Sequence, residues 1–159
     1  MSTIIETTVI RQATNKDRDA LKTLISGVLI EYGLKIDLDN TDSDLADIES
    51  NYNNRKGTFD LLTENTGRIM ATVGIYKIDS STCELRKMYL LKSERGKGYG
   101  RLLLEHALAK AKQLGYKKVI LETASVLKEA LGLYKKFGFV PYNSEHLSSR
   151  CDQAYYLEI

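Results

Sequence analysis

The sequence has one proline, two cysteines, two histidines and no long hydrophobic run, and each scarcity removes a class of explanation. So little proline excludes collagen-like order and proline-rich low complexity. Cys83 and Cys151 stand far apart, without Cys-x-x-Cys or Cys/His spacing; they form neither a zinc set nor a disulfide framework, and are expected to pack as small hydrophobes. No metal is therefore expected. No apolar stretch approaches the ~20 residues of a membrane-spanning helix, so no membrane partner is implied. The opening Met1-Ser-Thr-Ile-Ile-Glu has neither a basic nor an apolar leader region, which together with the cysteine usage points to the cytoplasm. His106 falls in a helical stretch and His146 in a late loop, and neither is assigned a role.

What is present suits one globular domain over residues 1–159, with 43% hydrophobic and 28% charged residues. A chain of this size removes roughly 70% of its unfolded surface from water, enough for a core without disulfides or metal. The net charge of +2 hides an asymmetry. Thirteen Lys or Arg face four acids between Leu85 and Lys136, whereas Asp37, Asp39, Asp42, Asp44, Asp47 and Glu49 face no base between Ile36 and Asn54. Solvated faces give the same pattern as a polyanion site and a cation site. Nucleic acid is not an expected partner, because the lysines are dispersed and no aromatics interleave with them.

Periodicity gives the elements. Thr7–Gln12 reads as a strand; Thr14 has N-cap chemistry for a helix running to about Tyr32 and stopped by Gly33, with Ala20, Leu21, Leu24, Ile25, Val28 and Leu29 at helical spacing. A short helix capped at Thr41 or Ser43 carries Leu45, Ile48 and Tyr52. Thr58–Thr63 and Arg68–Ile78 form a hairpin around Glu64-Asn-Thr-Gly67, and Cys83–Leu91 adds a third strand after the turn at Asp79. Leu102 to Leu114 is an amphipathic helix ending at Gly115; Lys118–Thr123 is a buried-type strand; Val126–Phe137 is a helix stopped by Gly138; Phe139–Tyr142 and Ala154–Glu158 are short strands. The order βα(α)βββαβαββ predicts an α+β (mixed α/β) fold, a mostly antiparallel six- to seven-stranded sheet with helices on both faces.

Arg95-Gly96-Lys97-Gly98-Tyr99-Gly100 lies directly between a strand and the long helix. Glycines allow close backbone approach, and a helix N-terminus offers free N–H groups and partial positive charge, a combination suited to phosphates. Lys92, Arg95, Lys97 and Arg101 add formal charge. A plain strand-to-helix loop has the same composition. The Walker reading fails because no Gly-Lys-Ser/Thr closes the motif; the dinucleotide fingerprint fails because its strand would open the fold rather than follow a meander.

Together, Glu84-Leu-Arg-Lys-Met-Tyr-Leu-Leu, Arg95-x-x-Gly98-x-Gly100, Val119-Ile-Leu-Glu-Thr and Ala130-x-x-Leu133-Tyr134-x-x-x-Gly138-Phe139 resemble the GNAT superfamily of acetyl-coenzyme A-dependent N-acetyltransferases. The resemblance spans residues 8 to 158, its specific motifs 82 to 141. It implies a splayed V between the fourth and fifth strands, and acetyl-CoA as acyl donor. Arg95, Gly96, Lys97, Gly98, Tyr99, Gly100 and Arg101 would hold the pyrophosphate, while Met88, Tyr89 and Leu90 would pair with the pantetheine. Glu84 matches the position of a general base in several members, although a salt bridge with Arg86 or Lys87 explains it equally. Tyr134 matches a tyrosine used as general acid toward the sulfur; packing on its helix is the alternative. A backbone N–H near Tyr89 or Leu90 would meet the oxyanion. Many members carry Asn where this chain has Leu127, so that polar contact is not carried over. Glu122 and Thr123 border the slot as substrate-binding candidates.

The resemblance also places the acidic segment over the acceptor, with Asp37 and Asp39 recruiting a cation. It implies direct attack by a primary amine in a ternary complex, with a small cationic acceptor expected. A protein lysine or N-terminal acetyltransferase and a non-catalytic CoA-binding sensor are the alternatives. Members are often dimers, so a second copy of the chain is among the implied partners.

Overall fold

The computed structural model describes residues 8–159; the leader reading of the first residues, and Thr7 of the expected first strand, lie outside them. Seven strands form one sheet in the order β1-β2-β3-β4-β5-β7-β6. They are β1 (Val9–Gln12), β2 (Thr58–Thr63), β3 (Ile69–Lys77), β4 (Thr82–Leu90), β5 (Lys118–Thr123), β6 (Val140–Tyr142) and β7 (Gln153–Glu158), with helices α1 (Arg18–Glu31), α2 (Tyr99–Gln113) and α3 (Lys128–Lys136). Every neighbouring pair is antiparallel except β4 with β5, which is parallel. The mixed α/β expectation holds.

The two sheet faces bury different helices. Leu21, Leu24, Ile25, Val28 and Leu29 of α1 pack with Phe59 and Leu61, while Leu103, Leu104 and Ala107 of α2 pack with Val73, Ile75, Cys83 and Leu85. Alternation along each strand sends neighbouring side chains to opposite faces. Thr14 caps the turn entering α1: its hydroxyl accepts from Lys16 N–H (3.3 Å), and Asp17 Oδ2 accepts from Thr14 N–H (2.9 Å), a capping box.

Two elements differ from the sequence reading. The segment after α1 is a 3-10 turn (Ser43–Ala46) and a single π turn (Glu49–Asn53) rather than one short helix. Polar side chains compete for its backbone: Asn15, from the turn before α1, accepts through Oδ1 from Ile48 N–H (2.8 Å), and Asp47 Oδ1 accepts from Ser50 N–H (3.0 Å). Leu45, Ile48 and Tyr52 are nevertheless fully buried, as their spacing predicts. Helix α3 starts at Lys128, not Val126. Ser125 donates to Asp152 through N–H (2.8 Å) and Oγ (2.6 Å), which keeps the preceding turn on the start of β7. No helix among the described residues is long and apolar enough to cross a membrane.

Candidate active site

The parallel β4–β5 ladder runs from Thr82↔Lys118 to Glu84↔Ile120 and stops, although both strands continue, to Leu90 and Thr123. The expected V opens there. A bulge in β4 accompanies it: Arg86 pairs with Gly74 and Tyr89 with Thr72, so Lys87 and Met88 together face one residue of β3. Lys87 has φ 53°, a left-handed conformation that costs a non-glycine residue roughly 1–2 kcal/mol. Neighbours hold it in place. Thr72 Oγ1 donates to its carbonyl (2.6 Å), and its buried Nζ meets Asp42 Oδ1 (2.9 Å), Asp44 Oδ1 (3.3 Å) and the Thr41 carbonyl (3.1 Å).

Two cavities meet at this opening, with Met88, Tyr89 and Leu127 lining both. The first, about 290 Å³, is bordered by Leu90, Arg95, Gly96, Gly98, Tyr99, Gly100 and Arg101. Gly98 is the N-cap of α2 at φ 84°, with no side-chain cap on the helix. A Cβ at Gly96 or Gly98 would enter open space, so nothing in the chain fills the space above these backbone amides. Arg95, although it borders the cavity, is engaged by the chain: its Nη1 bonds Glu31 Oε2 (2.8 Å) and its Nη2 the Leu90 carbonyl (3.0 Å). Lys97, expected among the phosphate ligands, lines neither cavity and pairs with Glu94 (3.0 Å).

The second cavity, about 280 Å³, takes Glu84, Arg86 and Lys87 from β4, Glu122 and Thr123 from β5, Tyr134 from α3, Asp44 from the 3-10 turn, and Arg150 and Cys151 from the β6–β7 loop. Glu84 Oε1 accepts from Arg86 Nε, the pairing that strand alternation allows, and the Arg86 guanidinium lies 3.7 Å over the Tyr76 ring. Glu122 makes no salt bridge among the described residues; it accepts from Ser148 N–H at 3.3 Å, and the charge of Arg86 acts on it from across the slot. Burial first, and then the charge of Glu84, push its carboxyl above the usual glutamate value.

Tyr134 is 5% exposed and packs 5.7 Å from Phe139. Its hydroxyl finds no hydrogen-bond partner among the described residues, and burial raises its pKa well above the usual phenol range. The phenol is neutral. Tyr89, half-buried, is pushed up to about 12, chiefly by desolvation. The Cys151 thiol is raised by burial, although it lines the cavity rather than the core.

At the edge of this cavity the fully buried Asp42 accepts from Arg150 Nη1 (2.8 Å) and Nη2 (2.9 Å) and from Asp37 N–H (2.8 Å), besides pairing with Lys87. Burial alone would push its carboxyl up; Arg150 and Lys87 outweigh that and bring it down to about 2. Asp37 and Asp39 line neither cavity. The acidic segment reaches the site through Asp44, and through Asp42 behind it. Arg86, Lys87 and Arg150 were not singled out from sequence as site residues. Alternation put Arg86 beside Glu84, but no local pattern marks Lys87 or Arg150, whose partners are remote in the chain.

The profile of the acetyltransferase (GNAT) family matches residues 30–139. The uncharacterized N-acetyltransferase YjgM of Escherichia coli (strain K12) is 36% identical over 136 residues, 82% of this chain and 81% of that protein. A GNAT-family acetyltransferase from Staphylococcus aureus Mu50 superposes with a TM-score of 0.89 at 25% identity, over 96% of this chain and 99% of that one. The yncA acetyltransferase fold of Salmonella typhimurium, solved with its cofactor acetyl-CoA, superposes with a TM-score of 0.72 at 18% identity, over 95% of this chain and 93% of that one. Sequence and fold agree: the chain belongs to the acetyltransferase (GNAT) family.

Proposed function

We propose that the chain acts as one N-acetyltransferase domain, moving the acetyl group of acetyl-CoA to the primary amine of a small acceptor that arrives as an ammonium, by direct attack in a ternary complex. The observation that carries this reading is the parting of β4 and β5 after Glu84↔Ile120, where the two cavities meet. The residues present fit the donor. The uncapped N-terminus of α2, with open space over Gly96 and Gly98, suits a pyrophosphate. The edge of β4 from Met88 to Leu90, left by β5, can bond an extended amide chain. Acetyl-CoA supplies an activated acetyl thioester.

The remaining work belongs to side chains and amides of this chain. An amine attacks only when neutral, so a base must take a proton from the ammonium. Glu122 serves best: burial and the charge of Glu84 raise its carboxyl and it makes no salt bridge among the described residues, whereas Glu84, the residue expected for this role, already accepts from Arg86 Nε. Glu84 then positions Arg86. N–H groups beside the bulge, near Tyr89 or Leu90, face the charge that develops on the reacting oxygen. The neutral Tyr134 phenol, with no other acceptor, donates its proton to the departing sulfur. Arg150 and Asp42 join the β6–β7 loop to the segment after α1, so a polypeptide passing between them would break a buried ion pair; a small acceptor need not.

Thiol release from acetyl-CoA against amino acids, polyamines, aminoglycosides and lysine peptides tests this reading. Turnover on one small-amine class supports it; turnover on peptides alone contradicts the small-acceptor part.

A further inference from the structure

We propose that the acceptor carries a carboxylate beside its reacting amine, as an amino acid does, and that Arg86 and Glu122 hold the two ends from opposite sides of the slot. This rests on the acetyl-transfer reading of the site.

The register puts these residues face to face. Continued for two more residues past Glu84↔Ile120, the parallel ladder would pair Arg86 with Glu122. The strands separate instead, and both residues line the cavity between them. Their hydrogen-bonding capacity is complementary and only partly spent. A guanidinium has five N–H donors, of which Arg86 commits Nε to Glu84. Its Nη1 stands 4.0 Å from Asp44 Oδ2, and neither terminal nitrogen makes a hydrogen bond among the described residues. Stacking on Tyr76, 3.7 Å from the guanidinium to the ring centroid, fixes its plane, which suits two-point binding of a carboxylate.

The other cations are spent. Lys87 pairs with Asp42 and Asp44, and Arg150 with Asp42. Against Arg86, Lys87 and Arg150 stand Asp42, Asp44, Glu84 and Glu122, an excess of one negative charge, and Glu122 is the carboxylate of this set that makes no salt bridge among the described residues. A ligand ammonium would supply the charge that Glu122 faces, and a planar carboxylate beside it would take the terminal N–H donors that Arg86 does not spend on Glu84. A diamine would set its second cation against Arg86, and like charges in a half-buried site select against that partner. At about 280 Å³ the cavity has the scale of a small metabolite.

The test pairs each amino acid with its decarboxylated amine: phenylalanine with phenethylamine, leucine with isoamylamine, lysine with cadaverine. Thiol release gives kcat/KM for both members, and calorimetry gives direct binding of each to the CoA-loaded protein. The expected result is at least a ten-fold preference for an amino acid over its amine, falling toward one in Arg86→Gln and partly restored in Arg86→Lys, with amino-acid binding lost in parallel. Equal or better use of the amine by the unaltered chain overturns the proposal, as does a preference that survives Arg86→Gln. A chain that binds acetyl-CoA yet neither binds nor acetylates any amino acid overturns it while leaving the donor reading intact. Failure to bind acetyl-CoA removes both.

Discussion

Arg150 and Asp42, separated by 108 positions, meet in a two-point contact of 2.8 and 2.9 Å. Asp42 simultaneously receives the ammonium of Lys87, the left-handed residue of the β4 bulge. One buried carboxylate therefore fastens the segment after α1, the β6–β7 loop and the bulge to each other. All three of those elements border the slot.

Asp42→Asn should destabilise the fold at neutral pH, because it leaves Lys87 and Arg150 without their anion. Removing one partner of a buried pair costs about 3 kcal/mol, or a fall in Tm of about 6–12 °C for a chain of this size. The Asp42 carboxyl is lowered from 3.8 to about 2. Its stabilisation is therefore complete above about pH 4 and lost as pH falls toward 2. Acid melting curves should fall more steeply between about pH 4 and 2 in the natural chain than in the variant, where the other lowered carboxylates alone contribute. Equal melting temperatures at pH 7 would contradict the role given to Asp42.

Tyr134→Phe removes the proposed proton donor and little else, since the hydroxyl makes no hydrogen bond among the described residues. We expect kcat to fall ten-fold or more, about 1.4 kcal/mol of barrier, with acetyl-CoA affinity and Tm retained. An unchanged kcat, measured with the acceptor that the panel identifies, would return Tyr134 to a packing role against Phe139.

Glu122 and Glu84 make opposite predictions in a pH profile. A base acts when deprotonated, and the Glu122 carboxyl lies above the ordinary value of 4.5. The acid limb of kcat/KM should therefore fall above that value in the natural chain and disappear in Glu122→Gln. Glu84→Gln should keep the limb while raising acceptor KM, through loss of the partner that orients Arg86. A limb that persists in Glu122→Gln and vanishes in Glu84→Gln would make Glu84 the base.

Gly98→Ala probes the phosphate cradle. The added methyl meets no atom of the chain, but Gly98 sits at φ 84°, where a side chain costs roughly 1–2 kcal/mol. The methyl also points into the space assigned to the donor. Tm should fall by a few degrees, and the Kd for acetyl-CoA should rise several-fold by titration calorimetry. An unchanged Kd would move the pyrophosphate away from this loop.

Much of this architecture is legible along the chain because its signals are local. The α1 stripe from Leu21 to Leu29, the strand alternation of β4 and β5 and the glycines at 96, 98 and 100 all announce themselves within a few residues. Glu84 with Arg86 is equally local, a consequence of period-two alternation. The segment from Ile36 to Asn54 shows where such reading ends. Its charge, with the family resemblance, points to Asp37 and Asp39 as ligands, yet the side chains turned inward are those of Asp42 and Asp44, and the cations that Asp42 meets, Lys87 and Arg150, are 45 and 108 residues beyond it. Lys87 is harder still. Regular alternation gives no reason for a lysine on the buried side of β4; the bulge and the two aspartates do.

The central claim is that the chain binds acetyl-CoA at the Gly96–Gly100 loop and releases its acetyl group to a small amine. Mass-resolved detection of the acetylated amine, alongside thiol release, in mixtures of protein, acetyl-CoA and the small-amine panel tests it most directly. We predict acetylated product from one class of small amine, dependent on protein and abolished or strongly reduced by Tyr134→Phe. Acetyl-CoA that binds without yielding any acetylated amine, or acetyl-CoA that does not bind at all, would contradict it.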